Sequence, residues 1–199
     1  MPFCITFSGC VWSWKSPIAS YISINLSLPI LNADSIRSEV SEDFFKFDVE
    51  EFNKRFDRRL NEILESWKSF IYDASMDRYW PVIKRKLESH WYKVFIICLS
   101  LSKDFLQKLH DATSYEISDK WLDKLVEQNK KFIENYKNDI NVIINDNDYI
   151  NRISIAYESV VKWISKSYSI YTKSQTPIQY FSANHAFISS TNWETQAGV

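Results

Sequence analysis

Glycine scarcity is the feature that most limits what this chain can fold into. The 199 residues include two glycines, Gly9 and Gly198, one near each end, where average usage would give about 14. Loops that cradle phosphate need backbone that approaches a ligand closely or takes a positive φ, and glycine supplies both. We therefore expect no phosphate-binding loop, dinucleotide-binding fingerprint, nucleophile elbow or glycine-rich kinase loop. An AT-rich genome would produce the same scarcity.

Charge divides the chain into three segments. Residues 1–33 carry one charged side chain and residues 174–199 carry one, whereas the 140 residues between them carry the other 47. We predict a β-patterned, uncharged N-terminal segment over 1–33, a helical domain over 34–173 and an extended, uncharged tail over 174–199. We expect the apolar surface of such a tail to be buried, either against its own domain or against a partner.

The N-terminal segment alternates apolar and polar residues. Phe3, Ile5 and Phe7 alternate with small or polar residues, and the stretch 22–28 does the same. Period-2 alternation is typical of half-buried strands. Because Ser8-Gly9 can turn the chain, we predict a β-hairpin-like segment here.

The charged middle changes to a helical period. Apolar residues recur at three- and four-residue steps, and Asp48 with Glu51 has the spacing of a capping box. We predict four long helices over 49–71, 81–109, 118–140 and 150–168, with a shorter one over 34–45. The predicted fold is therefore mainly α, a bundle of four to five amphipathic helices with the hairpin-like segment and the extended tail attached.

Metal and thiol chemistry has little support in the sequence. The three histidines stand at positions 90, 110 and 185, with no metal-binding spacing among them. The three cysteines, at 4, 10 and 98, form no C-x-x-C pair, which favours a reducing compartment. We predict no metal site and no cofactor, and a magnesium site built from carboxylates alone is the alternative that the sequence leaves open.

One short motif offers a catalytic alternative. In Arg85-Lys86-Leu87-Glu88-Ser89-His90, four residues separate an arginine from a histidine. The segment resembles the R-x(4–6)-H motif of HEPN-type ribonucleases, small helical bundles of toxin and antiviral defence systems. The resemblance implies that His90 acts as acid and base on the RNA 2′-hydroxyl and that Arg85 binds phosphate. The competing interpretation is a basic, solvated helix face.

The uncharged ends carry the residues that we predict to bind a partner. Aromatic side chains are enriched at interaction hot spots, and the ends contain Trp12, Trp14, Phe181, Phe187 and Trp193. We predict a non-enzymatic assembly or interaction protein, a subunit of an oligomer or complex. The HEPN-like ribonuclease is the alternative.

Charge and hydropathy narrow the partners and the location. The net charge of −1 disfavours nucleic acid. The longest strongly apolar run, 94–99, is too short to span a membrane. Residues 1–14 lack the basic start of a secretory signal. We therefore expect a soluble intracellular protein, in the cytoplasm or in a virion.

Overall fold

The computed structural model describes residues 1–112 and 118–168. The chain divides into two compact units, residues 1–161 and 162–199, and the account below concerns the first. Its centre is a sheet of five parallel strands in the order β2-β3-β1-β4-β5. The strands are β1 (Phe3–Gly9), β2 (Ile30–Asn32), β3 (Phe70–Ser75), β4 (Lys93–Leu99) and β5 (Ile140–Ile144).

Helices connect the strands. They are α1 (Lys15–Leu26), α2 (Ala33–Phe44), α3 (Val49–Glu65), α4 (Trp80–Ser89), α5 (Lys103–Asp111), α6 (Asp119–Tyr136) and α7 (Arg152–Tyr168). A short 3₁₀ turn, Tyr149–Asn151, precedes α7. No helix in the described part of the chain is long and apolar enough to cross a membrane.

The prediction of a mainly α bundle is wrong, because the molecule is an α/β fold. Its central strands β1 and β4 are covered on both faces, as parallel strands usually are, so β4 forms a continuous apolar run rather than an alternating one. All seven residues of β1 are buried, and so are the last five of β4. The predicted helix 81–109 consequently contains α4, the strand β4 and α5. The C-terminal end of predicted helix 118–140 is the first residue of β5.

The predicted N-terminal hairpin is wrong as well. β1 pairs in parallel with β3 on one side and β4 on the other, so it is a central strand. The alternating stretch 22–28 lies mainly in α1, whose buried residues are Ile18, Ala19 and Ile22. Ile24 belongs to the same alternation but is 80% exposed. The alternation is therefore incidental to a helix that buries one narrow face.

Several helix predictions are confirmed. α2, α6 and α7 lie where the period of 3.6 indicated, and α3 occupies most of the predicted helix 49–71, whose last two residues belong to β3. The Asp48 carboxylate caps α3 by accepting hydrogen bonds from the backbone N–H groups of Glu50 at 2.9 Å and Glu51 at 3.0 Å. Apolar residues of α2, α3, α4 and α6 pack with β1, β3 and β4 into one core cluster, which includes Leu64, Phe70, Trp80, Ile96 and Phe132.

Candidate functional site

The loop between β1 and α1 has the spacing of a phosphate-binding loop. It reads Gly9-Cys10-Val11-Trp12-Ser13-Trp14-Lys15-Ser16, from the last residue of a buried parallel strand into the first turn of a helix. The phosphate-loop pattern is G-x-x-x-x-G-K-S/T, so Trp14 stands where the pattern has its second glycine. The expectation that the chain builds no such loop is therefore wrong, because a loop of this spacing connects β1 to α1 even without the second glycine.

Two tryptophans take the backbone conformation that glycine normally supplies. Trp12 has φ 63° and Trp14 has φ 59°, both in the left-handed region that costs an L-residue ~1–2 kcal/mol. The Trp12 ring offsets this cost by packing edge-on against His110 of α5 and Trp121 of α6, with ring centroids 5.1 and 5.3 Å apart. Trp14 remains 46% exposed. Aromatic packing thus supports a loop shape that the sequence pattern appeared to forbid.

Gly9 is the one position in the loop that only glycine can occupy. Its φ is 136°, and a Cβ placed on it would lie 2.8 Å from the carbonyl oxygen of Leu99. Leu99 is its register partner on β4. The close approach of two parallel strands therefore demands glycine where the loop begins.

The Lys15 side chain folds back over the loop. Its Nζ donates to the carbonyl oxygens of Cys10 at 2.6 Å and Gly9 at 3.2 Å, and to Ser13 Oγ at 3.1 Å. Burial lowers the pKa of Lys15, and the nearby carboxylates of Asp77, Asp73 and Asp34 act in the opposite direction. The loop thus holds a desolvated ammonium group among acidic side chains.

The N-terminus of α1 is open to an anion. Among the described residues, no side chain caps this helix and no acidic residue lies in its first turn. By contrast, Asn32 caps α2, Asp48 caps α3 and Ser102 caps α5. Free N–H groups and the positive end of the helix dipole favour phosphate at such a position.

Carboxylates converge on the loop from the ends of neighbouring strands. Asp73, near the end of β3, is buried, and its Oδ2 accepts a hydrogen bond from Asn32 Nδ2 at 2.7 Å. Burial raises the pKa of Asp73, while hydrogen bonds from Ser16 and Asn32 and the charge of Lys15 counteract the rise. Asp34, in the first turn of α2, interacts electrostatically with both Lys15 and Asp73.

A third carboxylate fixes the start of the loop. Asp77 Oδ1 accepts a hydrogen bond from the backbone N–H of Gly9 at 3.1 Å. Asn129 of α6 is buried, and its Nδ2 donates to Ser8 Oγ at 3.0 Å and to Asp77 Oδ2 at 3.3 Å. Helix α6 is thereby tied to the strand end from which the loop departs.

The thiols near the loop are structural. Burial raises the pKa of Cys10 to about 12 and the pKa of Cys98 to about 11, with the Asp77 carboxylate adding to both. Since the thiolate is the form that attacks electrophiles or binds metals, neither group is an active nucleophile at neutral pH.

A cavity of about 440 Å³ lies at the carboxyl ends of β4 and β5. Its walls come from the β4–α5 connection (Ser100, Leu101, Ser102), from the turn after β5 (Asn145, Asp146, Asn147) and from Val126, Asn129 and Lys130 of α6. Asn129 belongs both to this wall and to the hydrogen-bond group at Ser8 and Asp77. The cavity and the loop therefore share one side chain at the carboxyl ends of the strands, where open α/β sheets bind ligands.

A magnesium ion that arrives with phosphate fits this chemistry. Among the described residues, no group of three His, Cys, Asp or Glu side chains could hold a metal by itself. Mg²⁺ in phosphate-transfer sites needs one or two protein oxygens beside the phosphates and water. The hydrogen-bonded pair of Ser16 and Asp73 offers a hydroxyl and a carboxylate beside the open N-terminus of α1.

The residues predicted from the HEPN resemblance lie on α4 and at its C-terminus. Arg85 Nε donates to the Pro81 carbonyl at 3.2 Å, and His90 Nδ1 lies 2.9 Å from the Lys86 carbonyl oxygen. His90 ends α4 just before β4, at the amino edge of the parallel sheet, whereas Lys15 and Asp73 lie at the carboxyl edge. The two predicted residues therefore stand at the other edge from the loop.

The predicted partner-binding residues are divided. Trp12 and Trp14 lie in the loop described above, where partner binding stays a prediction. Phe181, Phe187 and Trp193 lie outside the described residues, as does the predicted tail 174–199.

Sequence reasoning missed Lys15, Ser16, Asp73, Asp34 and Asn129. The available signal was the lysine-serine pair six residues after Gly9, preceded by a buried apolar run and followed by a helix. A second signal was the apolar run Phe70–Tyr72 ending in Asp73. Neither was used, because the glycine count was taken to exclude the loop.

Comparison with solved structures identifies the fold. No protein-family model and no curated protein matches the chain. A gluconokinase from Sinorhizobium meliloti 1021 is similar with a TM-score of 0.59 at 14% identity, covering 85% of this chain and 97% of its own. A sugar kinase from Janibacter sp. HTCC2649 has a TM-score of 0.57 at 12% identity, covering 83% and 95%.

A shikimate kinase from Acinetobacter baumannii, solved in complex with shikimate, has a TM-score of 0.56 at 14% identity, covering 83% of this chain and 95% of its own. The chain therefore shares the α/β fold of these three kinases. This fold overturns the prediction of a non-enzymatic helical assembly protein and the HEPN-like alternative, since both required a helical bundle. The expectation that the chain is not an enzyme is also contradicted, because these fold neighbours are kinases.

Proposed function

We propose that this chain is a phosphotransferase that moves the terminal phosphoryl group of a nucleoside triphosphate onto a hydroxyl group of a small molecule. One observation carries the proposal, the Lys15 ammonium held in a loop between a buried parallel strand and an open helix N-terminus. Solved structures of the same fold, a gluconokinase, a sugar kinase and a shikimate kinase, support the acceptor class.

The loop and α1 bind the phosphates. Backbone N–H groups at the start of α1 and the helix dipole attract the anion, and the Lys15 ammonium neutralises charge on the transferred group. Lys15 is already desolvated and lies against the loop carbonyls, so little solvent reorganisation accompanies its contact with phosphate.

Ser16 and Asp73 would hold the magnesium ion. Bound there, Mg²⁺ supplies charge neutralisation between the phosphoryl oxygens. Asn32 keeps the Asp73 carboxylate in place through its 2.7 Å hydrogen bond, and the same carboxylate accepts a hydrogen bond from Ser16.

Asp34 is the residue that we assign to the acceptor hydroxyl. It is exposed in the first turn of α2 and interacts electrostatically with Lys15 and Asp73. An exposed carboxylate close to the phosphoryl site can take the proton that the acceptor oxygen loses on attack. The proposal includes an intracellular location, since nucleoside triphosphates and reduced thiols belong there.

Binding and transfer with a lysine variant test the proposal. Calorimetry measures Mg·ATP binding, and ³¹P NMR follows transfer to gluconate, shikimate and simple sugars. Lys15→Ala should weaken binding at least tenfold and abolish transfer, whereas Lys124→Ala, on the exposed face of α6, should change neither. Circular dichroism verifies that both variants fold. Equal Mg·ATP binding by the parent chain and Lys15→Ala would remove Lys15, and with it the proposed site.

A further inference from the structure

The cavity at the carboxyl ends of β4 and β5 is a second candidate binding site. It shares Asn129 with the group that fixes Gly9. Its volume of about 440 Å³ lies in the range of small-molecule pockets. This inference rests on the proposed function, and Asn129 links the two sites, because it lines the cavity and donates to Asp77, the carboxylate that holds the Gly9 N–H.

Two aliphatic side chains give the cavity its apolar contact. Leu101 follows β4 and is buried, and Val126 lies on α6 and is half-buried. They come from separate elements of the cavity wall. A flat ring that enters the cavity can therefore remove its faces from water while its edge meets polar groups.

Asp146 is the single carboxylate in the described cavity wall, and it is fixed in place. Its Oδ1 accepts the backbone N–H of Ser102 at 2.9 Å, which joins the turn after β5 to the start of α5. Its Oδ2 accepts no hydrogen bond from any described residue. One carboxylate oxygen is thus held by the protein and the other remains for a ligand.

The neighbouring Asn145 uses its side-chain oxygen within the turn after β5. Asn145 Oδ1 accepts the backbone N–H groups of Asn147 at 2.9 Å and Asp148 at 3.3 Å. Its oxygen is therefore used to shape the turn that presents Asp146. Lys130 on the opposite wall supplies a donor.

A fixed acceptor distinguishes the two purines. Guanine presents N1–H and the 2-amino group side by side as donors, with O6 as an acceptor next to them. Adenine presents the lone pair of N1 at the corresponding edge, which a carboxylate repels. We infer that the cavity selects guanine, with Asp146 accepting from N1–H and the 2-amino group and with Leu101 and Val126 against the ring.

Calorimetric titration of the full chain with diphosphates tests the selection. GDP should bind at least tenfold more tightly than ADP, which is the scale of one hydrogen bond to a charged group, because Asp146 Oδ2 accepts from guanine and repels the N1 lone pair of adenine. IDP keeps N1–H and lacks the 2-amino group, so its affinity should lie between the two. Lys15→Ala should weaken all three together, because it acts on the phosphates.

A conservative substitution reverses the preference. Asp146→Asn keeps an oxygen for the Ser102 N–H and replaces the free acceptor with an amide donor. It should remove the higher affinity for GDP over ADP. It should also favour xanthosine diphosphate (XDP), whose C2 carbonyl accepts a hydrogen bond from that amide. Asp148→Asn is the matched control, and it should leave the preference for GDP unchanged.

The results separate the inference from the proposed function. Equal binding of ADP and GDP, both weakened by Lys15→Ala, overturns the selection of guanine and leaves the phosphotransferase site intact. An unchanged ratio of GDP to ADP affinity in Asp146→Asn overturns the role of Asp146. Absence of any diphosphate binding that depends on Lys15 overturns both.

Discussion

The two edges of the sheet each contain two tryptophans in the left-handed backbone conformation, and they use them differently. At the amino edge, Trp67 and Trp91 have φ 55° and 62° and lie in the connections that lead into β3 and β4. At the carboxyl edge, Trp12 and Trp14 have nearly the same φ inside the β1–α1 loop. The same backbone solution to a shortage of glycine therefore occurs in two settings.

The surroundings show what each setting does. Trp67 and Trp91 follow the C-caps of α3 and α4, where many proteins place a left-handed glycine, and they are 59% and 73% exposed. Trp12 instead packs against two aromatic rings, in a loop that holds the half-buried Lys15. A left-handed tryptophan is thus a helix stop at one edge and part of a binding loop at the other.

The largest expected effect is at Gly9. Gly9→Ala places a Cβ 2.8 Å from the Leu99 carbonyl at a φ of 136°, so the substitution combines a backbone clash with an unfavourable conformation. It should lower the free energy of unfolding by ~2–4 kcal/mol, measured by urea denaturation. Val11→Ala, at an exposed site in the same loop, should stay within ~0.5 kcal/mol of the parent. A neutral Gly9→Ala contradicts the close approach of β1 and β4.

Trp12 comes next, because its ring packing should outweigh its strained backbone. Trp12→Gly relieves the positive φ but removes the contacts with His110 and Trp121. The net loss should be ~2 kcal/mol in the free energy of unfolding. Trp12→Phe retains part of the packing and should lose less. If Trp12→Gly stabilises the protein, this tryptophan behaves like those at the amino edge and the comparison fails.

The third prediction concerns Asp73, whose buried carboxylate at the carboxyl edge of the sheet should lower the free energy of unfolding at neutral pH. Because burial raises its pKa, the folded state holds this proton more tightly than the unfolded chain does. The group therefore favours folding at low pH and opposes it as the pH rises through the folded-state pKa. Asp73→Asn should stabilise the protein by ~0.5–2 kcal/mol at neutral pH, while losing phosphoryl transfer.

Thermal unfolding between pH 3 and pH 8 measures that difference. The advantage of Asp73→Asn should shrink as the pH falls through the folded-state pKa of Asp73, and it should be gone below the unfolded-state pKa of aspartate, about 4. Asp139→Asn is an informative contrast, since the Lys84 and Trp80 hydrogen bonds hold the pKa of Asp139 below its ordinary value. That variant should destabilise the protein at neutral pH. Destabilisation by both variants would show that Asp73 is an ordinary structural carboxylate.

The smallest expected change in stability is at the amino edge of the sheet. Trp67→Gly and Trp91→Gly replace exposed rings at positive φ with the residue that this conformation favours, so each should stabilise the protein by ~0.5–1 kcal/mol. Trp67→Ala keeps the unfavourable φ and should give no gain. Differential scanning calorimetry resolves shifts of this size. A loss on either glycine substitution would mean that the ring contributes packing, as it does at Trp12.

The sequence reveals some elements far better than others, for physical reasons. α3 is readable because it pairs one apolar stripe with the Asp48 cap. β4 is not, because its apolar run is buried on both faces and alternation is lost. α1 is misread because Ile24 continues an alternation although it faces solvent.

The candidate site is hidden for two further reasons. Trp14 interrupts the motif that would have identified the loop, because only the backbone reveals that tryptophan adopts the conformation of glycine there. Asp73 and Asn129 lie far from Lys15 in sequence, and the order of the parallel strands and the docking of α6 bring them together.

Phosphate binding by the loop with Trp14 in place is the central claim, and calorimetry with Mg·ADP on the parent chain, Trp14→Gly and Lys15→Ala tests it most directly. We expect the parent chain and Trp14→Gly to bind with affinities within about tenfold of each other, and Lys15→Ala to lose binding. Binding that appears only in Trp14→Gly would contradict the account, because it would mean that tryptophan closes the loop to phosphate.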